Sequence, residues 1–438
     1  MRLLLKGGTL VDPASGINGP RDVLIDGGRV ARVGKDLPVD GARVLELPRG
    51  TVIAPGLIDM HVHLREPGQE HKETIASGTA SAVAGGFTAV ACMPNTSPVN
   101  DNAGITGYIM SKAAEAALAR VYPIGAVSIG SKGEQLTEIG DLKRAGCVAI
   151  SDDGRPVASA LLMRRALEYA GMFDMPVIDH CEDASLKGDG VAHEGASASM
   201  LGLKGLPGVA ETLIVDRGIL LSEVTKARFH VAHMSVATAL RSVREGKARG
   251  VRVTCEVAPH HFTLTDAALE GYDTNTKMNP PLRETADVEA MLSGLADGSI
   301  DVIATDHAPH HADEKALEYD RAPFGIVGLE TAVPLCIDRL VHRGVVSLSR
   351  LIELLSVNPA RVLGVEGGSL AEGAVADITI LAPDLPVRIA ASTLVSKSKN
   401  TPFDGWELKG AAAATFVGGR LVYLNEAMEW ATPWRADV

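Results

Sequence analysis

Thr51-Val52-Ile53-Ala54-Pro55-Gly56-Leu57-Ile58-Asp59-Met60-His61-Val62-His63-Leu64-Arg65 is an apolar run that ends in a His-x-His pair. In an extended strand alternate side chains share a face, so His61 and His63 point the same way, about 6.5–7 Å apart along the backbone. That geometry suits two imidazoles on one metal ion. A lone pair of this kind is more often ordinary polar dressing of a strand end, and the metal reading gains weight only if further ligands arrive at matching places.

Outward from this stretch, apolar strand-like runs alternate with helical windows such as 72–84, 102–120 and 159–170, which is the pattern of repeated βα units around a parallel sheet. Strand candidates fall at 57–63, 87–92, 121–127, 147–151, 176–180, 228–233, 251–257 and 301–306. Eight parallel strands make a (β/α)8 barrel, and the spread from 51 to about 355 fits its size with modest insertions. Short β-like pieces broken by Gly and Pro lie on both sides, at 22–25 and 29–33 and again at 376–381 and 415–422. The expected fold is therefore α/β, a TIM-like (β/α)8 barrel with a small composite β-sandwich domain built from both chain ends. Residues 1–53 and 359–438 would form the small domain, and 54–358 the metal-dependent hydrolase barrel.

Composition limits the partners. Of 438 residues 46% are hydrophobic and 22% charged, the balance of a soluble globular protein. The net charge of −12, with no cluster of Lys and Arg, argues against a nucleic-acid backbone as partner, though not against an anionic substrate in a locally basic pocket. The five cysteines are odd in number and form no CxxC pair, which points to reduced, buried thiols in a cytoplasm. No run of 18 uncharged apolar residues is present to span a membrane.

In barrels of this kind the active site lies at the C-terminal ends of the strands. His61 and His63 close strand one, Asp152 and Asp153 follow strand four, His180 closes strand five, His233 strand six and Asp306 strand eight. Scattered core or surface residues would have no reason to gather at one end. Imidazole and carboxylate ligands without thiolates suit Zn2+. Two ions fit better than one, with His61, His63 and Asp306 for the first, His180 and His233 for the second, and Asp153 or Asp152 bridging ions about 3.5–4 Å apart. A hydroxide between them would be ionised near neutral pH and would be the nucleophile. The segment 307–325, rich in His and charge and without strong periodicity, reads as a loop able to close over a substrate.

Four stretches carry a family resemblance: Asp59-Met60-His61-Val62-His63-Leu64-Arg65-Glu66-Pro67-Gly68, Met93-Pro94-Asn95-Thr96, Lys277-Met278-Asn279-Pro280-Pro281-Leu282-Arg283 and Ala304-Thr305-Asp306-His307-Ala308-Pro309-His310. They resemble the bacterial class I dihydroorotases of the amidohydrolase superfamily, and the last two are the specific part. The resemblance implies reversible cyclisation of N-carbamoyl-L-aspartate to L-dihydroorotate, the third step of pyrimidine synthesis. It places His61 and His63 on one zinc, His180 and His233 on the other, Asp153 as bridge, and Asp306 as both ligand and catalytic acid/base. It implies that Arg65, Asn95 and His310 contact the substrate carboxylate, that His63 also binds substrate, and that Asn279 with the backbone at Phe324 and Gly325 holds the ring's amide edge. A homo-oligomer, most simply a dimer, and an aspartate transcarbamoylase partner also follow from it.

One departure concerns the bridge. Many relatives use a carboxylated lysine after strand four, whereas Ile150-Ser151-Asp152-Asp153-Gly154-Arg155-Pro156 contains none. His260 and His261 read as pocket-wall or structural residues, and His71, His193, His307 and His311 are given no metal role. Two rival readings are a sister cyclic-amide hydrolase (hydantoinase, dihydropyrimidinase or allantoinase) and an inactive homologue kept as a structural partner of aspartate transcarbamoylase. The first does not need Arg65, Asn95 and His310 together, and the second expects lost ligands.

Overall fold

The computed structural model describes residues 2–427, so Met1 and the end of the expected small domain, 428–438, lie outside the described residues. Eight strands form one parallel sheet in sequence order. They are β1 Leu57–Val62, β2 Phe87–Cys92, β3 Arg120–Gly125, β4 Ala149–Ile150, β5 Val177–Asp179, β6 Phe229–Val231, β7 Val253–Val257 and β8 Val302–Ile303. The barrel closes just past β8, where His307 bridges in parallel to Val62 and its carbonyl accepts the His63 N–H at 2.8 Å. The Asp59 carboxylate seals the same seam by accepting the Thr305 N–H at 3.1 Å.

Helices follow the strands and start where side chains can satisfy their free N–H groups. Thr74 and Ser77 form a reciprocal capping box at the head of Ile75–Ala84, Asn102 caps Ala103–Ala116 and Ser159 caps Ala160–Gly171. The barrel interior below the site is a closed apolar plug that includes Ile58, Met60, Ala91, Ile124, Ile178 and Val302. Ala360, Val362 and Leu363 of the helix Asn358–Leu363 belong to the same plug and close its floor. The site can therefore open only at the other end.

The end of β1 is not a regular strand. Ile58 and Met60 belong to the interior plug, but Leu57 and Val62 pack in the outer layer between sheet and helices. Strict alternation would put Val62 with Met60. A register shift against β2 between Asp59 and Val62 breaks the alternation, and this bulge turns His61 and His63 inward above the plug.

The small domain is a two-layer β sandwich. One sheet has the order Arg420–Leu424, Glu407–Val417, Ile378–Arg388, Val52–Pro55, Thr9–Asp12, Ile17–Pro20, and the other Arg29–Gly34, Asp22–Asp26, Leu3–Lys6, Arg43–Glu46. Leu3, Leu5, Val23, Ile53, Ile378 and Phe416 fill the space between them, so both chain ends build one core. The apolar run 51–62 thus serves two sheets. It passes from one to the other at Gly56, where a Cβ would collide with the Thr88 hydroxyl. Among the described residues no helix is long and apolar enough to cross a membrane.

Candidate metal centre and substrate pocket

The six side chains singled out as ligands meet above the plug, and all are buried. Asp153 lies at their centre. Its Oδ1 is 3.5 Å from His61 Nε2, 3.5 Å from His180 Nδ1 and 3.7 Å from His233 Nε2, and its Oδ2 is 3.6 Å from His63 Nε2. Asp306 Oδ1 lies 3.1 Å from His63 Nε2 and 3.5 Å from His61 Nε2. Most of these separations are long for hydrogen bonds but close to the roughly 3.3 Å expected between two ligands on a tetrahedral ion with bonds of about 2.0–2.1 Å. His61, His63 and Asp306 form one compact ligand group, and His61, Asp153 and His233 a second that shares His61. His61 Nε2 and Asp153 Oδ1 are buried without a hydrogen-bond partner, as atoms reserved for a cation would be.

Charge points the same way. Burial opposes ionising Asp153, yet His61, His180 and His233 hold its carboxyl well below the usual range. Burial likewise opposes an imidazolium at His61, yet Glu256, Asp153 and Asp306 raise it well above an ordinary histidine. The cluster favours positive charge between its carboxylates, which a bound cation would supply.

The neighbouring aspartate is engaged elsewhere. Asp152 accepts the N–H groups of Val127 and Ser128 at 2.9 and 3.1 Å and the Ser128 hydroxyl, so of the two only Asp153 faces the histidines. The outer nitrogens of the β1 pair are also fixed. His61 Nδ1 lies 2.6 Å from Glu256 Oε1 and His63 Nδ1 lies 2.9 Å from Asn95 Oδ1, which turns both Nε2 atoms toward the carboxylates of the cluster. Glu256 escaped the sequence reading, although a carboxylate inside the apolar strand Val253–Val257 was its visible signal.

Beside the cluster is a cavity of about 200 Å³, lined by His63, Arg65, Asn95, Asp153, His180, His233, Asn279, Asp306, His310, Phe324 and Gly325, with Gly154, Lys187 and Ala308. All the substrate contacts expected from sequence are among these. A larger cavity of about 660 Å³, lined by Asp189, Tyr272 and Tyr319 among others, contains none of them. Arg65 is 8% exposed, and its hydrogen bonds go to Pro309 O at 3.1 Å and to His310 Nε2 at 3.2 Å rather than to a carboxylate. Burial lowers it to about 10. A buried guanidinium without a paired anion is costly unless a ligand supplies one. Arg65, His233 and Asp306 all have positive φ (61°, 29° and 50°), backbone strain of the kind that gathers at functional sites.

The segment 307–325 is pinned over the pocket rather than featureless. It contains the short helix Ala312–Lys315, and Lys315 Nζ donates to Pro323 O at 2.9 Å and Gly325 O at 3.1 Å. Lys277 Nζ donates to Tyr319 O at 2.7 Å and sits 4.6 Å from the Phe324 ring centre. Neither lysine was given a role from sequence. Burial, aided by the Lys277 charge, lowers Lys315 from 10.5 to about 7. Between these two values the unfolded chain binds a proton that the folded chain does not, so the Lys315 contribution to stability rises with pH across that window and is lost as pH falls through about 7. Lys315→Met is expected to flatten the rise in unfolding midpoint between pH 7 and 9, and an unchanged slope in denaturant titrations would contradict this.

A family model described as dihydro-orotase-like matches residues 50–238, and one described as amidohydrolase family matches 320–423. The dihydroorotase of Pelotomaculum thermopropionicum is 58% identical over 422 residues, covering 96% of this chain and 98% of that one. That of Pelobacter propionicus is 54% identical over 423 residues, 97% of this chain and 100% of the relative. The chain belongs to the dihydroorotase family. Among solved structures, the L-hydantoinase (dihydropyrimidinase) from Arthrobacter aurescens is similar with a TM-score of 0.87 at 24% identity, covering 96% of each chain. The dihydropyrimidinase from Brevibacillus agri has a TM-score of 0.86 at 24% identity, covering 97% of this chain and 96% of that one. These likenesses show the fold. As an amidohydrolase of the dihydroorotase family the chain requires a metal cofactor, and the residues gathered at Asp153 fit one.

Proposed function

We propose that this chain is a cytoplasmic zinc-dependent dihydroorotase, interconverting L-dihydroorotate and N-carbamoyl-L-aspartate in pyrimidine synthesis. Family membership supports the reaction, and one observation supports the substrate: the buried Arg65 fork without a carboxylate partner, facing the cavity beside the ligand cluster. His61, His63 and Asp306 would hold one zinc, His180 and His233 a second, with Asp153 shared. Bound zinc supplies Lewis acidity toward the scissile carbonyl and a water ionised near neutral pH.

The chain's own residues do the rest. Arg65, Asn95 and His310 receive the substrate carboxylate, while Asn279 and the backbone at Phe324 and Gly325 hold the amide edge of the ring. Asp306 is kept ionised by His61 and His63 although burial opposes it, so it is in the form that can accept a proton. As the water oxygen bonds to the ring carbonyl carbon, Asp306 takes the water's proton. It returns that proton to the ring nitrogen as the C–N bond breaks, leaving a ureido group and a carboxyl that releases the water's second proton to solvent as it ionises.

A homodimer and an aspartate transcarbamoylase partner complete the reading. Leu213, Leu220 and Val224, exposed along one helix, Val209–Thr225, support self-association. The inactive-partner alternative is disfavoured because all six ligand candidates are present and converge. The reading is tested by offering the protein L-dihydroorotate, dihydrouracil, hydantoin and allantoin in parallel. Strong preference for the carboxylate-bearing ring is expected, and preference for a ring without a carboxylate would move the chain to the hydantoinase reading.

A further inference from the structure

The proposed metal centre uses six ligand residues from five strands, and Glu256, a buried acid of the barrel wall, has no role in it. Glu256 stands on β7, which supplies no ligand, and it is 1% exposed. Its Oε1 lies 2.6 Å from His61 Nδ1 and accepts the backbone N–H of His233 at 3.3 Å. Its own carbonyl accepts the Met234 N–H at 2.9 Å, so the turn after β6 is fastened to Glu256 on both sides of His233. Its Oε2 is 3.2 Å from His230 Nε2, and His230 Nδ1 is 2.8 Å from Thr254 Oγ1.

We propose that Glu256 is a positioning residue that makes the two halves of the metal centre assemble as one unit. The inference rests on the two-metal reading of this site. Oε1 accepts the Nδ1–H of His61 and so fixes the tautomer whose Nε2 faces Asp153 and Asp306. The same oxygen holds the backbone of His233, whose φ of 29° is not one a histidine adopts unaided, in the turn that brings Nε2 to 3.7 Å from Asp153. A single carboxylate therefore touches a ligand assigned to the first ion and the backbone of a ligand assigned to the second. His230 anchors it, donating from Nε2 to Oε2 while its Nδ1 accepts the Thr254 hydroxyl.

The chemistry separates two substitutions. Glu256→Leu removes every acceptor, so His61 is free to carry its proton on Nε2, where it cannot bind metal, and the His233 turn loses its side-chain staple. Glu256→Gln keeps one acceptor. Its oxygen can stay on His61 and His233 while its NH2 faces His230, which adapts by moving its proton to Nδ1 and donating to the Thr254 hydroxyl. Geometry is kept and negative charge is lost.

The experiment is competitive zinc titration of the metal-stripped full-length protein against a chromophoric chelator, with circular dichroism and thermal midpoint as folding controls. Wild type is expected to take up two zinc ions per chain. Glu256→Gln is expected to weaken both sites together by about 10–100-fold. Glu256→Leu is expected to bind neither ion at chelator concentrations the wild type withstands. Weakening of one site alone, or unchanged affinities in a folded Glu256→Gln protein, would overturn the proposal. If Glu256→Leu fails to fold, the Gln variant alone decides. Failure of wild type to bind two zinc ions would bring down the two-metal reading itself, a result distinguishable from intact wild-type binding with variants that match it.

Discussion

Asp306→Asn is expected to lower kcat/KM for L-dihydroorotate by about 10²–10⁴-fold, the usual weight of a general acid/base. The side chain sits just past β8 with Oδ1 3.1 Å from His63 Nε2, at the edge of both the ligand cluster and the substrate cavity. Asparagine keeps the shape and one oxygen donor but cannot accept the proton of the attacking water or deliver one to the ring nitrogen. The loss should fall on kcat rather than KM, because the carboxylate-binding fork is untouched. Metal content measured on the same sample separates the two roles. A metal-replete variant that has lost turnover supports proton transfer by Asp306, whereas a replete variant with wild-type kcat would remove Asp306 from the chemistry.

Arg65→Lys is expected to cut kcat/KM for L-dihydroorotate by about 10–100-fold, mainly through KM. Lysine keeps the charge but loses the planar fork that matches a carboxylate with two parallel hydrogen bonds, and bonds to charged groups contribute about 1.5–3 kcal/mol. Its shorter donor would also lose the contacts to Pro309 O and His310 that orient the guanidinium. Any residual rate on dihydrouracil, which has no carboxylate, should be nearly unchanged, so the preference for dihydroorotate collapses. Equal losses on both rings would show that Arg65 supports the loop rather than reading the substrate.

Much of this site was legible in the sequence because barrel topology converts linear position into spatial position. Fully buried parallel strands read as short apolar runs, and residues that close them arrive at one end whatever their separation in the chain. That is why chain position alone groups His61, His180, His233 and Asp306. The choice between Asp152 and Asp153 was not legible, since it depends on the Ser128 turn occupying the former. The bulge that turns His61 inward leaves no mark in the apolar run, because it is a property of pairing with β2. Glu256 reads as a polar residue inside a strand until its partner 195 residues away is known. Lys277 and Lys315 act on backbone carbonyls, which no side-chain pattern reveals. The short N-terminal strands Leu3–Lys6 and Thr9–Asp12 are too brief to show a period.

In the proposed function a metal centre built on Asp153 performs cyclic-amide hydrolysis on a carboxylate-bearing ring. Its most direct test is turnover of L-dihydroorotate by the purified full-length protein before chelation, after metal stripping, and after stepwise return of zinc, with metal per chain measured at each step. Activity is expected to vanish on stripping and to return as zinc approaches two ions per chain. Full turnover by the stripped protein, or a zinc-replete protein inert toward dihydroorotate in both directions, would contradict it.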